Sequence, residues 1–201
     1  MGHAARIFRD WRRSRAPLLM TDFGSRKEST VSAVFESEFG YVYNTLRRLG
    51  VREHDLKDQT QEVFLTVHQI IADYDPSRPL RPWLFGIAYR IAARYRGRAH
   101  RRREVFGEGD EDLAAGAVDP SPRADAELES ARRRALVLAA IEQIDLPRRG
   151  VFVMNEIDGH PMPEIAAALG IPLNTAYSRL RLARQDFAAA VKRLREEGAK
   201  T

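Results

Sequence analysis

Apolar residues recur at intervals of three and four along both halves of the chain, which is the period of an amphipathic helix. The pattern predicts helices over residues 29–49, 53–72, 81–103, 126–144, 147–157, 161–169 and 173–196. No stretch alternates apolar and polar residues in the way that a half-buried strand would. We therefore predict an all-α fold.

The segment 104–125 interrupts this pattern and divides the chain into two small helical domains. It holds three glycines and two prolines, a composition typical of a flexible linker. Its acidic cluster consists of Glu104, Glu108, Asp110, Glu111 and Asp112. The predicted divisions are a flexible leader over 1–27, a first domain over 28–103, the linker over 104–125, a second domain over 126–196 and a tail over 197–201. Either Met1 or Met20 is a plausible start.

The amino-acid composition excludes several classes of function. The chain has no cysteine, which excludes disulfides, thiolate metal sites and a cysteine nucleophile. Its five histidines show no metal-ligand spacing, and no glycine-rich loop could cradle a phosphate. We therefore expect no enzyme, no metal and no cofactor. No apolar run approaches the ~18 residues that would indicate a membrane span, so we expect no membrane insertion and a cytoplasmic location.

The formal net charge is +5, and much of the basic charge is concentrated near the end of the first domain. Between Ser77 and Arg103 there are nine arginines, four interleaved aromatic residues and no acidic residue. Arginines neutralise phosphates and aromatic rings stack on unpaired bases, so this segment favours nucleic-acid binding. The alternative is a solvated basic face above an aromatic core.

Residues 162–187 have the layout of a helix-turn-helix. Gly170 is expected to end the first helix in the left-handed conformation, and a second helix follows Pro172. Helical spacing places Leu173, Tyr177, Leu180, Phe187, Val191 and Leu194 on one inward stripe, with the stem of Arg184 beside it. A separate polar face consists of Asn174, Ser178, Arg181 and Gln185, flanked by Thr175 and Arg179. This face suits a helix that reads DNA in the major groove, and the alternative is a solvated surface helix.

Three segments together resemble bacterial RNA polymerase sigma factors of the extracytoplasmic-function (ECF) type, over about residues 28–195. They are "DLKDQTQEVFLTV" at 55–67, "YDPSRPLRPWLFGIAYRIAARYRGRAHRRR" at 74–103, and the segment 141–184. Three such motifs in this order are highly specific. A helix-turn-helix regulator that binds an operator as a dimer is the alternative. It would explain 160–190 but leave 55–67 and 77–103 without a role.

The resemblance implies a promoter-specificity subunit with three sets of binding residues. Residues implied to bind the clamp of the largest core polymerase subunit are Asp58, Gln61, Glu62 and Phe64. Residues implied to bind the minus-ten element are Asp75, Arg78, Arg81, Arg90, Arg94 and Arg98. Residues implied to bind the minus-35 element are Asn174, Thr175, Ser178, Arg179, Arg181 and Gln185. Contact with the flap of the second-largest subunit, and a probable anti-sigma factor as a further partner, are also implied.

The chain departs from the family pattern at a few of these positions. Arg90 stands where many members have Asn, and Asn174, Ala176 and Tyr177 differ from the usual Gly-Thr-Val-Lys-Ser-Arg-Leu segment. Because Tyr177 is predicted to face inward, we expect it to change packing more than recognition. Under this resemblance the acidic linker is either a solvated spacer or an electrostatic imitation of nucleic acid near the polymerase cleft.

Overall fold

The computed structural model describes residues 22–106 and 122–198, and over these ranges the chain forms helices and turns without a strand. The all-α prediction is confirmed. Most of the predicted leader and linker, together with residues 199–201 of the tail, lies outside the described residues. The described chain divides into two compact units, one of residues 22–47 and 51–92 and the other of residues 48–50, 93–106 and 122–198. None of the described helices is long and apolar enough to cross a membrane.

The first unit is built on α1 (Asp22–Arg48), α2 (Glu53–Ile70) and the beginning of α3 (Leu80–Phe106). A short 3₁₀ turn, Ile71–Asp73, follows α2. The connection from α1 to α2 turns at Gly50, whose φ of 87° lies in the left-handed region. There the Val51 N–H donates to the Leu46 carbonyl at 3.1 Å, which closes the last turn of α1.

The core of the first unit is apolar, with an aromatic cluster where α1 meets α2. The ring of Phe64 lies edge-on to Phe35, at 4.7 Å between centroids, and 6.5 Å from Phe39. Burying one such side chain contributes about 1.5–3 kcal/mol. The buried hydrophobic residues of α3 include Leu84, Phe85, Ile87, Ala88, Ile91 and Ala92. Arg90, Arg94 and Arg98 are exposed along another side of the same helix.

The second unit contains four further helices. They are α4 (Pro122–Glu142), α5 (Leu146–Phe152), α6 (Met162–Leu169) and α7 (Leu173–Gly198), and a π-helical turn, Val153–Ile157, continues α5. α4, α5 and α6 all pack against α7. The buried side of α7 is lined by Ala176, Leu180, Ala183 and Ala190. Three of these four side chains are alanine, so neighbouring helices can approach α7 closely.

A fully buried arginine closes the end of α4. The Nε of Arg149 donates to the Ile144 carbonyl at 3.0 Å, and its Nη2 donates to the carbonyls of Glu142 and Ile144 at 2.5 and 2.8 Å. The last carbonyls of a helix have no intrahelical partner, and here the guanidinium supplies one. Burial lowers the pKa of Arg149 to about 10, which leaves it charged at neutral pH.

Several helix ends differ from the sequence-based prediction. α1 begins at Asp22 instead of Ser29, α3 continues to Phe106, and α4 begins at Pro122. The helices therefore extend into the predicted leader and into both ends of the segment 104–125. The arginine run at the end of α3 contains no glycine or proline after Gly97, so the α3 extension is consistent with helix propensity.

Candidate nucleic-acid interfaces

The turn between α6 and α7 is that of a helix-turn-helix. Gly170 adopts φ 64° and ψ 40°, which confirms the predicted left-handed conformation. Its N–H donates to the Ala167 carbonyl at 3.3 Å, and the N–H of Ile171 donates to the Ala166 carbonyl at 3.0 Å. This pair of bonds is the Schellman arrangement, in which orphan carbonyls at the end of α6 gain partners. The turn therefore sets the direction in which α7 leaves α6.

α7 presents one continuous polar face. Asn174, Ser178, Arg181 and Gln185 are all exposed, while the flanking Thr175 and Arg179 are half-buried. The hydroxyl of Ser178 donates to the Asn174 carbonyl at 2.9 Å, so in this rotamer it is left to accept hydrogen bonds. The structure thus brings the predicted polar row together on one surface. The row combines amide, hydroxyl and guanidinium groups, which are suited to base edges and phosphates.

The predicted inward stripe of α7 is wrong at its beginning. Tyr177 is 53% exposed and Leu173 is 42% exposed, whereas Ala176 is fully buried. The helix is turned so that its alanines face the core, since small side chains allow closer helix packing. Tyr177 therefore lies on the surface beside the polar row, where the sequence analysis did not place it.

Ion pairs hold α7 against its neighbours. The Nε and Nη2 of Arg184 lie 2.8 and 2.6 Å from Oε1 of Glu156, in the π-helical turn. Arg148 of α5 contacts Asp186 at 2.7 Å. The sequence analysis expected the stem of Arg184 to pack beside the buried stripe; the structure shows its side chain exposed and paired with Glu156. The two pairs join residues 28 and 38 positions apart, so no local sequence pattern could predict these contacts.

The loop between α2 and α3 is ordered by its own side chains. The Asp75 carboxylate accepts from the Ser77 N–H at 3.0 Å and from the Ser77 hydroxyl at 2.7 Å, and these bonds lower the pKa of Asp75. Its other oxygen lies 3.5 Å from Nε of Arg78. The Tyr74 hydroxyl donates to the Arg78 carbonyl, and the Tyr74 ring lies 4.9 Å from that of Trp83. Asp75 and Arg78 thus remain exposed on a loop of defined shape.

Arg81 has protein partners in the first unit. Its Nε lies 2.9 Å from Oε2 of Glu38, and its guanidinium lies 5.0 Å from the centre of the Tyr41 ring. Both partners belong to α1, so Arg81 fastens the beginning of α3 to α1. The structure thus gives Arg81 a positioning contact, and its implied binding to the minus-ten element stays a prediction.

Arg90, Arg94 and Arg98 follow one another at intervals of four on α3, and all three are exposed. A spacing of four residues places successive side chains about 6 Å apart along one face of a helix. Ile87 and Ile91 line a neighbouring side of the helix, and among the described side chains of α3 burial ends at Ala92, before Arg94 and Arg98. This arginine row can therefore follow a nucleic-acid backbone without disturbing the core.

Three of the four residues that the resemblance implies for the clamp reach the surface of α2. Asp58 is exposed, and Gln61 and Glu62 are half-buried. Phe64 is only 2% exposed, because its ring belongs to the aromatic cluster with Phe35. The Phe64 ring therefore faces the core in this structure, and its assignment to the clamp stays a prediction. Phe64 supports α2 from beneath the surface.

Among the described residues, no group of three or more histidine, aspartate or glutamate side chains could hold a metal ion. The described surface carries polar or basic faces on α2, α3 and α7.

Family models match both parts of the chain. The model described as Sigma-70 region 2 matches residues 34–109, and the model described as Sigma-70, region 4 matches residues 134–187. RNA polymerase sigma factor CnrH of Cupriavidus metallidurans is 32% identical over 147 residues, which cover 71% of this chain and 76% of CnrH. The ECF RNA polymerase sigma-E factor of Escherichia coli K12 is 27% identical over 135 residues, which cover 65% of this chain and 71% of that protein.

Solved structures show the same likeness. One is the structure of CnrH in complex with the cytosolic domain of CnrY. The match spans 84% of this chain and 92% of the matched chain, with a TM-score of 0.57 and 25% identity. The sigma factor RpoE of Bartonella quintana, in complex with the anti-sigma factor NepR, covers 79% and 96%, with a TM-score of 0.55 and 20% identity. The second likeness concerns the fold alone.

Proposed function

Because this chain belongs to the ECF branch of the RNA polymerase sigma factors, we propose that α7 reads the minus-35 promoter element while the first unit binds and opens the minus-ten element. The observation that supports this division most directly is the exposed row Asn174, Ser178, Arg181 and Gln185 on a helix oriented by the Gly170 turn. The family matches extend over both units, so they do not favour a regulator whose only active part is a helix-turn-helix.

In the minus-35 proposal, α7 lies in the major groove with its first turns toward the bases. Arginine binds guanine O6 and N7 through two hydrogen bonds, and asparagine binds adenine in the same manner. Arg181 has the first chemistry, and Asn174 and Gln185 have the second, because glutamine binds adenine as asparagine does. Arg179 and Thr175 flank the row and are assigned to phosphates, which position the helix without reading sequence.

In the minus-ten proposal, the Asp75–Arg78 loop captures a base that has left the stack, and the row Arg90, Arg94 and Arg98 carries the single strand. Unstacking a base costs a few kcal/mol, which a shaped pocket and backbone contacts offset. The internal bonds of Asp75 support this role, because a loop that is already ordered loses little entropy when it binds. Arg81 contributes by fixing α3 to α1.

For the polymerase, we assign Asp58, Gln61 and Glu62 to the clamp of the largest subunit and the second unit to the flap of the second-largest. Bond making belongs to the polymerase, and this chain supplies binding and orientation in the cytoplasm, where the polymerase works. We also assign it an anti-sigma partner that covers these faces, since CnrH was solved with CnrY and RpoE with the anti-sigma factor NepR.

Run-off transcription tests the proposal. The full chain is mixed with active core RNA polymerase and a library of genomic promoter fragments, and transcript starts are mapped. We expect a small set of starts that share a minus-ten and a minus-35 element and that require the chain. If active core polymerase gives no specific start with this chain, the proposal is overturned.

A further inference from the structure

An exposed aromatic side chain lies beside the polar row of α7. Tyr177 is 53% exposed, although large aromatic side chains usually contribute to a core. Within the part of the chain that the structure describes, no hydrogen bond, ion pair or ring contact holds it. Its orientation therefore comes from the backbone of α7, which the neighbouring Ala176 anchors in the core.

The position of Tyr177 on the helix directs it toward the same groove as the polar row. At 3.6 residues per turn, it projects about 40° from Arg181 and about 60° from Asn174 around the helix axis. It also lies within the first two turns of α7, which begins at Leu173. The first turns of a recognition helix are the part that approaches base edges. Tyr177 thus joins the surface that faces the DNA in the proposed minus-35 complex.

The chemistry of Tyr177 differs from that of the row. Asparagine, serine, arginine and glutamine offer hydrogen bonds, and none of them offers an extended apolar surface. In the major groove the only apolar feature of the four bases is the 5-methyl group of thymine, which apolar side chains contact. A tyrosine ring presents an apolar surface at a cost of only two side-chain torsions.

We propose that Tyr177 is a specificity-determining residue that selects one thymine of the minus-35 element by packing its ring against the 5-methyl group. This inference rests on the proposed function of α7. The hydroxyl of Tyr177 is not needed for this selection. A phosphate contact would instead require the hydroxyl as a hydrogen-bond donor, so the two roles can be distinguished.

The test uses the full chain bound to core RNA polymerase and a duplex promoter that this holoenzyme transcribes. Each thymine of the minus-35 element is replaced in turn by deoxyuridine, which removes only the methyl group. One buried methyl group is worth about 0.8 kcal/mol, or about fourfold in affinity. We expect one deoxyuridine to weaken binding about fourfold for the unsubstituted protein and for Tyr177→Phe, and to have no effect for Tyr177→Ala.

Leu173→Ala is the matched control, because Leu173 is a similarly exposed apolar residue one turn earlier on α7. It is expected to keep the sensitivity to deoxyuridine. The inference is overturned if the unsubstituted protein is indifferent to deoxyuridine at every thymine, or if Tyr177→Ala remains sensitive. If Tyr177→Phe lost its sensitivity to deoxyuridine, the selection would depend on the hydroxyl and not on the ring. That result would also overturn the inference. A failure of the proposed function would differ, since the holoenzyme would then show no preference for any minus-35 sequence.

Discussion

Replacing Gly170 by alanine tests whether the left-handed turn orients the recognition helix. The backbone of Gly170, with φ 64° and ψ 40°, is one that alanine adopts only at a cost of about 1–2 kcal/mol. A β-carbon at this position meets no heavy atom within 4 Å, so the cost is conformational and not steric. Alanine also reduces the entropy of the unfolded chain, which raises the free energy of unfolding by about 0.4–1 kcal/mol. The expected net destabilisation is about 0.5–1 kcal/mol.

Gly40→Ala is the matched control for this substitution. Gly40 lies inside α1, has no positive φ, and would also place its β-carbon in open space. Alanine is preferred to glycine in a helix interior by about 0.5–1 kcal/mol, so this variant should be stabilised. The unfolded-state entropy gain is common to both variants. Their difference, about 1–2 kcal/mol, therefore isolates the penalty of the left-handed conformation.

Hydrogen exchange on the full chain measures both effects, because it reports the free energy of opening segment by segment. Faster exchange is expected across 162–198 in Gly170→Ala, and slower exchange across 31–48 in Gly40→Ala. Binding to a minus-35 duplex should weaken only in Gly170→Ala. Equal changes of the same sign in the two variants, or an unchanged α6–α7 segment in Gly170→Ala, would refute the reasoning.

Three further predictions concern the proposed binding faces and their support. Arg181→Ala should weaken holoenzyme binding to minus-35 DNA by about 1–3 kcal/mol in fluorescence anisotropy, and unchanged affinity would remove Arg181 from the base-reading row. Glu62→Lys should reduce affinity for core polymerase. Glu36→Lys makes the same charge change at an exposed position of α1 and should leave that affinity unchanged. Equal losses of affinity in the two variants would contradict the clamp assignment. Phe64→Ala should cost about 3–5 kcal/mol in the urea unfolding of the first unit, and Phe64→Leu should restore most of that stability and normal polymerase binding. Poor polymerase binding by a stable Phe64→Leu would instead support a direct contact.

Features with a local cause were predictable from the sequence. The order of the helices follows from apolar spacing, and the left-handed Gly170 follows from a glycine placed after a helix and before Ile-Pro. Helix ends were less predictable, as α3 shows by continuing to Phe106 through a run without a stop signal. The resemblance identified the family, but the roles of individual residues depended on the tertiary structure.

Features that depend on distant residues were not predictable. The pairing of Arg184 with Glu156 requires α7 to lie against the π-helical turn. The contact of Arg81 likewise depends on Glu38, which is 43 residues away in the chain.

The error at Tyr177 has a single physical origin. The predicted stripe gave weight to the largest apolar residues of α7, and it points about 50° away from the stripe that is buried. The buried side instead contains Ala176, Ala183 and Ala190, since small residues let α4, α5 and α6 approach and gain contact along the whole helix. That rotation exposes Tyr177 and leaves Arg181 and Asn174 outward. The packing that holds α7 thus also places an aromatic ring beside the base-reading row.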